Sequence, residues 1–210
     1  MSETSETKQE TKLLKNSEAK KISKPATKGL KKAETPKLGV SKSRAKKIKH
    51  SYTVKDAENA LLLKIKDGDV VIEMFPEDAP NHVARIKELV RAGFYNGLKF
   101  HRVIDGFMAQ TGCPYGNGTG GSGKKLKAEF NRRPHKRGTV SMARSMFPDS
   151  ADSQFFICFG DCSWLDGQYT VWGEVTSGME HVDAIKRGTG ANGEVNEPDE
   201  IISLTVIADI

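Results

Sequence analysis

The stretch Phe100-His101-Arg102-Val103-Ile104-Asp105-Gly106-Phe107-Met108-Ala109-Gln110-Thr111-Gly112 organises the chain. It sets one fixed cation, Arg102, close in sequence to two large apolar side chains, Phe107 and Met108, and to one neutral amide, Gln110. No nucleophile or metal cluster sits among them. Side chains on a β-strand alternate between faces, so Met108 and Gln110 share a side and join an apolar contact to a hydrogen-bonding group. Such a surface suits a neutral, partly apolar ligand with a carbonyl to hold, for example a peptide. Similar groups recur in Gln154-Phe155-Phe156-Ile157-Cys158-Phe159 and in Trp164-Leu165-Asp166-Gly167.

Outward from this stretch the pattern is mainly β. Ala60 to Lys66 and Val70 to Phe75 flank Asp67-Gly68-Asp69 and predict a hairpin. Asn81 is placed to cap a helix over His82 to Arg91, whose Val83, Ile86, Leu89 and Val90 fall at helical spacing, and Gly93 ends it. Further strands are predicted at Lys99–Val103, Met108–Thr111, Thr139–Ala143, Gln154–Phe159, Thr170–Val175 and Ile201–Ala208, with a second short helix from Met179 to Lys186. Many short strands, glycine-rich loops and only two helices argue for an antiparallel barrel or sandwich rather than a parallel sheet.

Charge divides the chain. Residues 1–50 carry fifteen Lys or Arg and five Glu, net +10, whereas residues 51–210 carry eighteen basic and twenty-two acidic residues, net −4. The basic character of the whole therefore belongs to the first segment. Having no aromatic residue and many Lys, Ser, Thr and Glu, residues 1–50 cannot bury enough surface to offset ordering entropy and read as a disordered tail, with the folded domain over 51–210. Solubilisation is the plainer role for such a tail. The competing role is an electrostatic arm for nucleic acid or another polyanion, blind to sequence and sensitive to salt. Three cysteines, Cys113, Cys158 and Cys162, with no Cys-x-x-Cys pair, fit reduced thiols in the cytoplasm better than disulfides, and metal ligation by Cys158 and Cys162 lacks partners at zinc-like spacing. No signal peptide or membrane span is expected.

Several motifs mislead. Gly116-Asn117-Gly118-Thr119-Gly120-Gly121 satisfies a dinucleotide pattern, and Gly118 to Lys124 approaches a phosphate-binding loop, but Lys125 stands where Ser or Thr would hold magnesium. Both patterns need a helix next, and residues 127–134 show no helical stripe before Pro134. A glycine loop beside a binding groove fits better. Asn117-Gly118-Thr119 matches a glycosylation acceptor, which means nothing without secretion. His101, His135 and His181 show no pairing with a Ser or Cys nucleophile at sequence level, and His101 reads as a packed or hydrogen-bonded residue.

The segment Phe100 to Gln110 resembles the signature of the cyclophilins, the peptidyl-prolyl cis-trans isomerases. So do Gly118-Thr119-Gly120-Gly121, Ser141-Met142-Ala143, Ser153-Gln154-Phe155-Phe156-Ile157 and Trp164-Leu165-Asp166-Gly167, in the family's order across roughly residues 57–210. Ser145-Met146-Phe147-Pro148-Asp149-Ser150-Ala151 looks more like bacterial members than animal ones. In isolation Arg102 reads as a surface ion-pair residue, and Phe107, Phe156, Phe159 and Trp164 as core. The joint register of five motifs reverses this for Arg102, Phe107, Phe156 and Trp164.

The resemblance implies a closed eight-stranded antiparallel β-barrel capped by two α-helices, with a groove on its surface. Phe107, Met108, Phe156 and Leu165 would take the proline ring. Gln110 and the backbone at Arg144 would hold peptide amides, Ala143 and Gln154 would line the groove, and Trp164 would border it and accompany cyclosporin binding. Arg102 would be the catalytic group, with no cofactor and no metal. Two positions depart from the family pattern: Tyr169 replaces a histidine on the rim, and Arg144 replaces an asparagine. The expected partners are proline-containing polypeptides, met by a monomer. Two other functions compete: a proline-peptide binding module with weak turnover, suggested by Tyr169 and Arg144, and a polyanion-binding factor working through residues 1–50.

Overall fold

Ala60–Ile65 (β1) and Gly68–Met74 (β2) pair antiparallel from Ala60 opposite Glu73 to Ile65 opposite Gly68, so the expected hairpin forms and Gly68 joins the ladder. The computed structural model describes residues 52–210; the tail expected over residues 1–50 lies outside them. The first helix, Pro80–Arg91 (α1), buries His82, Val83, Ile86, Leu89 and Val90. Asn81 does not cap it. Pro80 has no N–H, so the first amides needing acceptors are those of Asn81 and His82, and the Glu129 carboxylate takes both at 3.0 Å. A carboxylate is the favoured partner at a helix N-terminus, and here it comes from a distant segment.

Arg102–Ile104 (β3), Met108–Thr111 (β4), Thr139–Met142 (β5), Phe155–Cys158 (β6), Val171–Ser177 (β7) and Ser203–Val206 (β8) complete the sheet, and Met179–Asp183 (α2) is shorter than the helix expected from Met179 to Lys186. The strand order is β3-β4-β6-β5-β7-β2-β1-β8, with every pairing antiparallel. This corrects the expected closed barrel. The sheet curls into an open half-barrel, with β3 and β8 at its edges and no ladder between them.

The cause lies at β3. Its free edge is occupied by a loop: Val103 N donates to Gly193 O at 2.8 Å, and Gly188 N donates to Val103 O at 2.9 Å. Gly193, at φ +70°, lies so close to Ile104 that any Cβ there would collide with that side chain. The segment expected as the start of this strand turns instead toward 199–201, where Gly97 N and Phe100 N donate to Ile201 O and Asp199 O. These short bridges span the seam and cover the edge of β3, as native sheets commonly do with exposed edges.

Alternation along β4 and β6 separates two apolar clusters. Ala109, Phe155 and Ile157 enter the main core with Trp172, Tyr95 and Phe100. Phe155 meets Trp172 and Tyr95 edge to face, each at 5.5 Å. Met108, Phe156 and Cys158 point the other way and form a second cluster with Cys162 and Leu165, against which Ile104, Phe107, Ala143 and Tyr169 pack.

Candidate active site

Register places the polar groups of this second face. Arg102 lies opposite Gln110, Gln110 opposite Phe156, and Phe156 opposite Ser141, a single row across β3, β4, β6 and β5. Arg102 Nη1 donates to Gln110 Oε1 at 3.2 Å, and Arg102 Nε donates to Asn192 O at 2.9 Å. Gln110 Nε2 in turn donates to Gln154 Oε1 at 2.9 Å, and Gln154 Nε2 donates to the carbonyls of Gly118 and Gly120. A chain of amides thus runs from the glycine loop to the guanidinium.

Among the described residues no carboxylate pairs with Arg102. Partial burial pulls its pKa below the ordinary value. An arginine nevertheless stays protonated in water-accessible protein sites, so the positive charge is available to a ligand.

Arg102, Phe107, Met108, Gln110, Ala143, Arg144, Phe156, Leu165 and Tyr169 line one hollow of about 100 Å³. Eight of the residues expected to bind a peptide, together with Arg102, therefore meet in one place. Gln154 lines an adjoining hollow of about 240 Å³, which shares Gln110, Ala143 and Arg144 with the first and is walled by Gly118, Thr119 and Gly120. The glycine loop borders the groove, and no helix follows it. Trp164 stands outside the socket, 59% exposed, with its ring 5.6 Å from that of Phe107. Arg144 lies over Tyr169, with its guanidinium carbon 4.5 Å from the ring centroid, and Nε donates to Gln168 O at 3.0 Å.

Behind the socket lies a constellation that sequence alone did not reveal. His135 Nδ1 is 2.8 Å from Asp166 Oδ1, and His135 Nε2 is 3.0 Å from Ser141 Oγ. The backbone amide of His135, and then its ring, hold the Asp166 carboxyl below the usual carboxylate range. The order Asp–His–Ser has the look of a hydrolase, yet Ser141 is fully buried and its hydroxyl reaches Thr170 O at 3.0 Å. A substrate carbonyl cannot approach it, so the group positions its neighbours: His135 stacks on Phe156 at 6.2 Å and meets Tyr169 edge to face. The buried thiols of Cys158 and Cys162 fill the space beneath, and burial pushes the Cys158 thiol pKa up.

Residues 60–206 match the family model described as cyclophilin type peptidyl-prolyl cis-trans isomerase/CLD. The chain belongs to the cyclophilin family. Among curated cyclophilin relatives, a probable peptidyl-prolyl cis-trans isomerase of Brucella suis biovar 1 is 57% identical over 167 residues, covering 73% of this chain and 85% of that protein. A peptidyl-prolyl cis-trans isomerase of Helicobacter pylori is 47% identical over 146 residues, covering 66% and 89%. Among solved structures, a Hirschia baltica cyclophilin superposes with a TM-score of 0.67 at 29% identity, covering 74% of this chain and 76% of that one. A Cryptosporidium parvum cyclophilin, crystallised in the presence of the dipeptide Ala-Pro, gives 0.66 at 26% identity, covering 70% and 98%. No helix among the described residues is long and apolar enough to cross a membrane.

Proposed function

We propose that the chain accelerates cis–trans rotation about Xaa-Pro peptide bonds in unfolded or flexible polypeptides, with Arg102 as the catalytic group. The observation that carries this is the unneutralised Arg102 guanidinium on the wall of an apolar socket. Amide resonance sets a barrier of roughly 18–20 kcal/mol, so uncatalysed rotation takes on the order of ten to a hundred seconds. In the twisted transition state the prolyl nitrogen loses conjugation and regains a lone pair. A donor aimed at that nitrogen binds the twisted form better than either planar one, which is what lowers a barrier. Lowering it by about 5–6 kcal/mol corresponds to roughly ten-thousand-fold acceleration.

The other residues divide the remaining tasks. Phe107, Met108, Phe156 and Leu165 grip the proline ring, with Tyr169 packing at the rim, so one side of the bond is fixed while the other turns. Gln110 and the backbone at Arg144 hold peptide amides, and Ala143 and Gln154 line the path of the chain. Trp164, standing exposed beside Phe107, supports a further expectation, affinity for cyclosporin. No acid, base, metal or cofactor enters the step. Cytoplasmic residence as a monomer is part of the proposal, and the three unpaired, buried cysteines favour a reducing compartment.

A second function draws support from one contact. Arg144 lies over Tyr169 at the rim, where the family pattern has smaller polar groups, which favours a module that binds proline peptides with weak turnover. A protease-coupled assay on a Xaa-Pro peptide separates the two. Acceleration supports the isomerase; binding without acceleration supports the module.

A further inference from the structure

Beside the socket, two large apolar side chains are left without burial. Met146 and Phe147 are 82% and 67% exposed, in the turn that follows β5. The turn itself is held firmly. Ser145 N donates to Ser150 Oγ at 2.9 Å, Ser145 Oγ donates to Ser150 Oγ at 2.8 Å, and the Ser150 hydroxyl reaches back to Phe147 O. Phe147 N donates to Ser145 Oγ at 3.3 Å, and Arg144 Nη1 donates to the carbonyls of Ser145 and Met146. Serine hydroxyls, Pro148 and one arginine thus define the backbone, and the turn's geometry asks nothing of the Met146 and Phe147 side chains.

The turn is continuous with the groove. Ser145 and Ser150 line the hollow that shares Gln110, Ala143 and Arg144 with the socket. Arg144, which ties the turn down, spans Tyr169 at 4.5 Å and the half-exposed Phe130 at 5.8 Å. The turn therefore adjoins the groove through Ser145 and Ser150, with Arg144 between it and the socket rim. Unfolded chains carry apolar side chains that folded ones bury, and a chain held at its proline has its neighbouring residues close by. Two side chains offer only a fraction of the roughly 800 Å² per partner that a stable dimer uses, so a second copy is the poorer occupant.

We propose that the Met146–Phe147 turn is a second contact surface of the groove, taking an aliphatic or aromatic side chain of the same client polypeptide a few residues from its prolyl bond. This rests on the isomerase function proposed above, and its test is read separately from that function. The full chain and its Met146→Ser/Phe147→Ser variant are compared on a tetrapeptide with small flanking residues. Both are also given ten-residue Xaa-Pro peptides carrying a single Leu or Phe at each flanking position in turn.

The wild type is expected to favour peptides with the apolar residue on one side of the proline by about fivefold to tenfold, through KM, as partial burial of such a side chain warrants. The variant should lose that preference while keeping tetrapeptide turnover within about twofold. A wild type indifferent to the flanking residue, or a variant that retains the preference, overturns the proposal. So does light scattering that shows a dimer converted to a monomer by the substitutions, which would make the turn a self-interface. The same preference read as equilibrium affinity of labelled peptides decides the matter whatever the turnover of the tetrapeptide, whereas absent tetrapeptide turnover in the wild type counts against the isomerase alone.

Discussion

Arg102 and Gln110 face each other across β3 and β4, and the guanidinium donates to the amide oxygen at 3.2 Å. With Asn192 O holding Nε, the arginine is aimed by two neutral acceptors that leave its charge intact. Replacing one acceptor by a carboxylate should therefore be worse than removing it. Gln110→Ala is expected to lower kcat/KM by about tenfold, the scale of one lost orienting hydrogen bond. Gln110→Glu should lower it by about a hundredfold at pH 8 by neutralising Arg102, and part of that loss should be recovered at pH 5 as the new carboxyl takes up a proton. Equal losses in the two variants, at both pH values, would contradict this.

Phe156 is buried between the socket and His135. Phe156→Ala should destabilise the domain by about 3–5 kcal/mol through the cavity it leaves. KM should rise with it, because the ring proposed to grip proline is gone. Thermal melting and steady-state kinetics on the same sample check both effects.

The Asp166–His135–Ser141 set is assigned a positioning role, so a serine-directed organophosphorus reagent should leave Ser141 unlabelled and isomerase activity intact. Asp166→Asn should loosen the ring that braces Phe156 and Tyr169, raising KM more than it lowers kcat. Stoichiometric labelling of Ser141 in the native protein would show that it is reachable after all.

Acid stability follows from buried histidines. Burial lowers the pKa of His82, outweighing its Glu129 partner, and burial likewise lowers that of His101. The folded state thus binds fewer protons than the unfolded one once the pH falls below 6.5, the ordinary histidine value, so stability is full above that pH and declines beneath it. Glu129 adds a second loss. Burial alone would raise its pKa, but hydrogen bonds from His82 and Asn81 hold it below 4.5, so its contribution fades as pH falls through the acid range. Melting temperature should be level from pH 8 to 7 and drop in these two stages, with His82→Gln shrinking the first. An unchanged first stage in that variant would reject the assignment.

The lysine-rich segment makes a separate prediction. The full chain carries a net charge of +6, and residues 51–210 carry −4. The full chain should be retained on heparin or RNA at low salt and released as salt rises, whereas a shortened chain beginning near His50 should flow through. Equal retention of the two would reject a polyanion role for residues 1–50.

What was legible in the sequence was decided by strand alternation. Met108 with Gln110 had to share a face once β4 existed, and the structure brings both to the socket beside Phe156. The open seam was hidden because it depends on backbone groups: Val103 bonds to the loop at Gly188 and Gly193, and no side-chain pattern encodes that. The cap of α1 is hidden for a similar reason: Asn81 has the residue type of a cap, but the actual acceptor, Glu129, lies 48 residues away. The Asp166–His135–Ser141 set escaped notice because its members are separated by 31 and 6 positions, and only the pairing of β5 with β6 and the turn at Asp166 assemble them.

The account stands on Arg102 acting at the rotating bond, and Arg102→Ala measures that directly. In a protease-coupled assay on a Xaa-Pro peptide, kcat should fall by about a hundredfold to a thousandfold while peptide affinity changes less than about threefold, the signature of an interaction made only in the transition state. A fall confined to affinity, with kcat preserved, would contradict it.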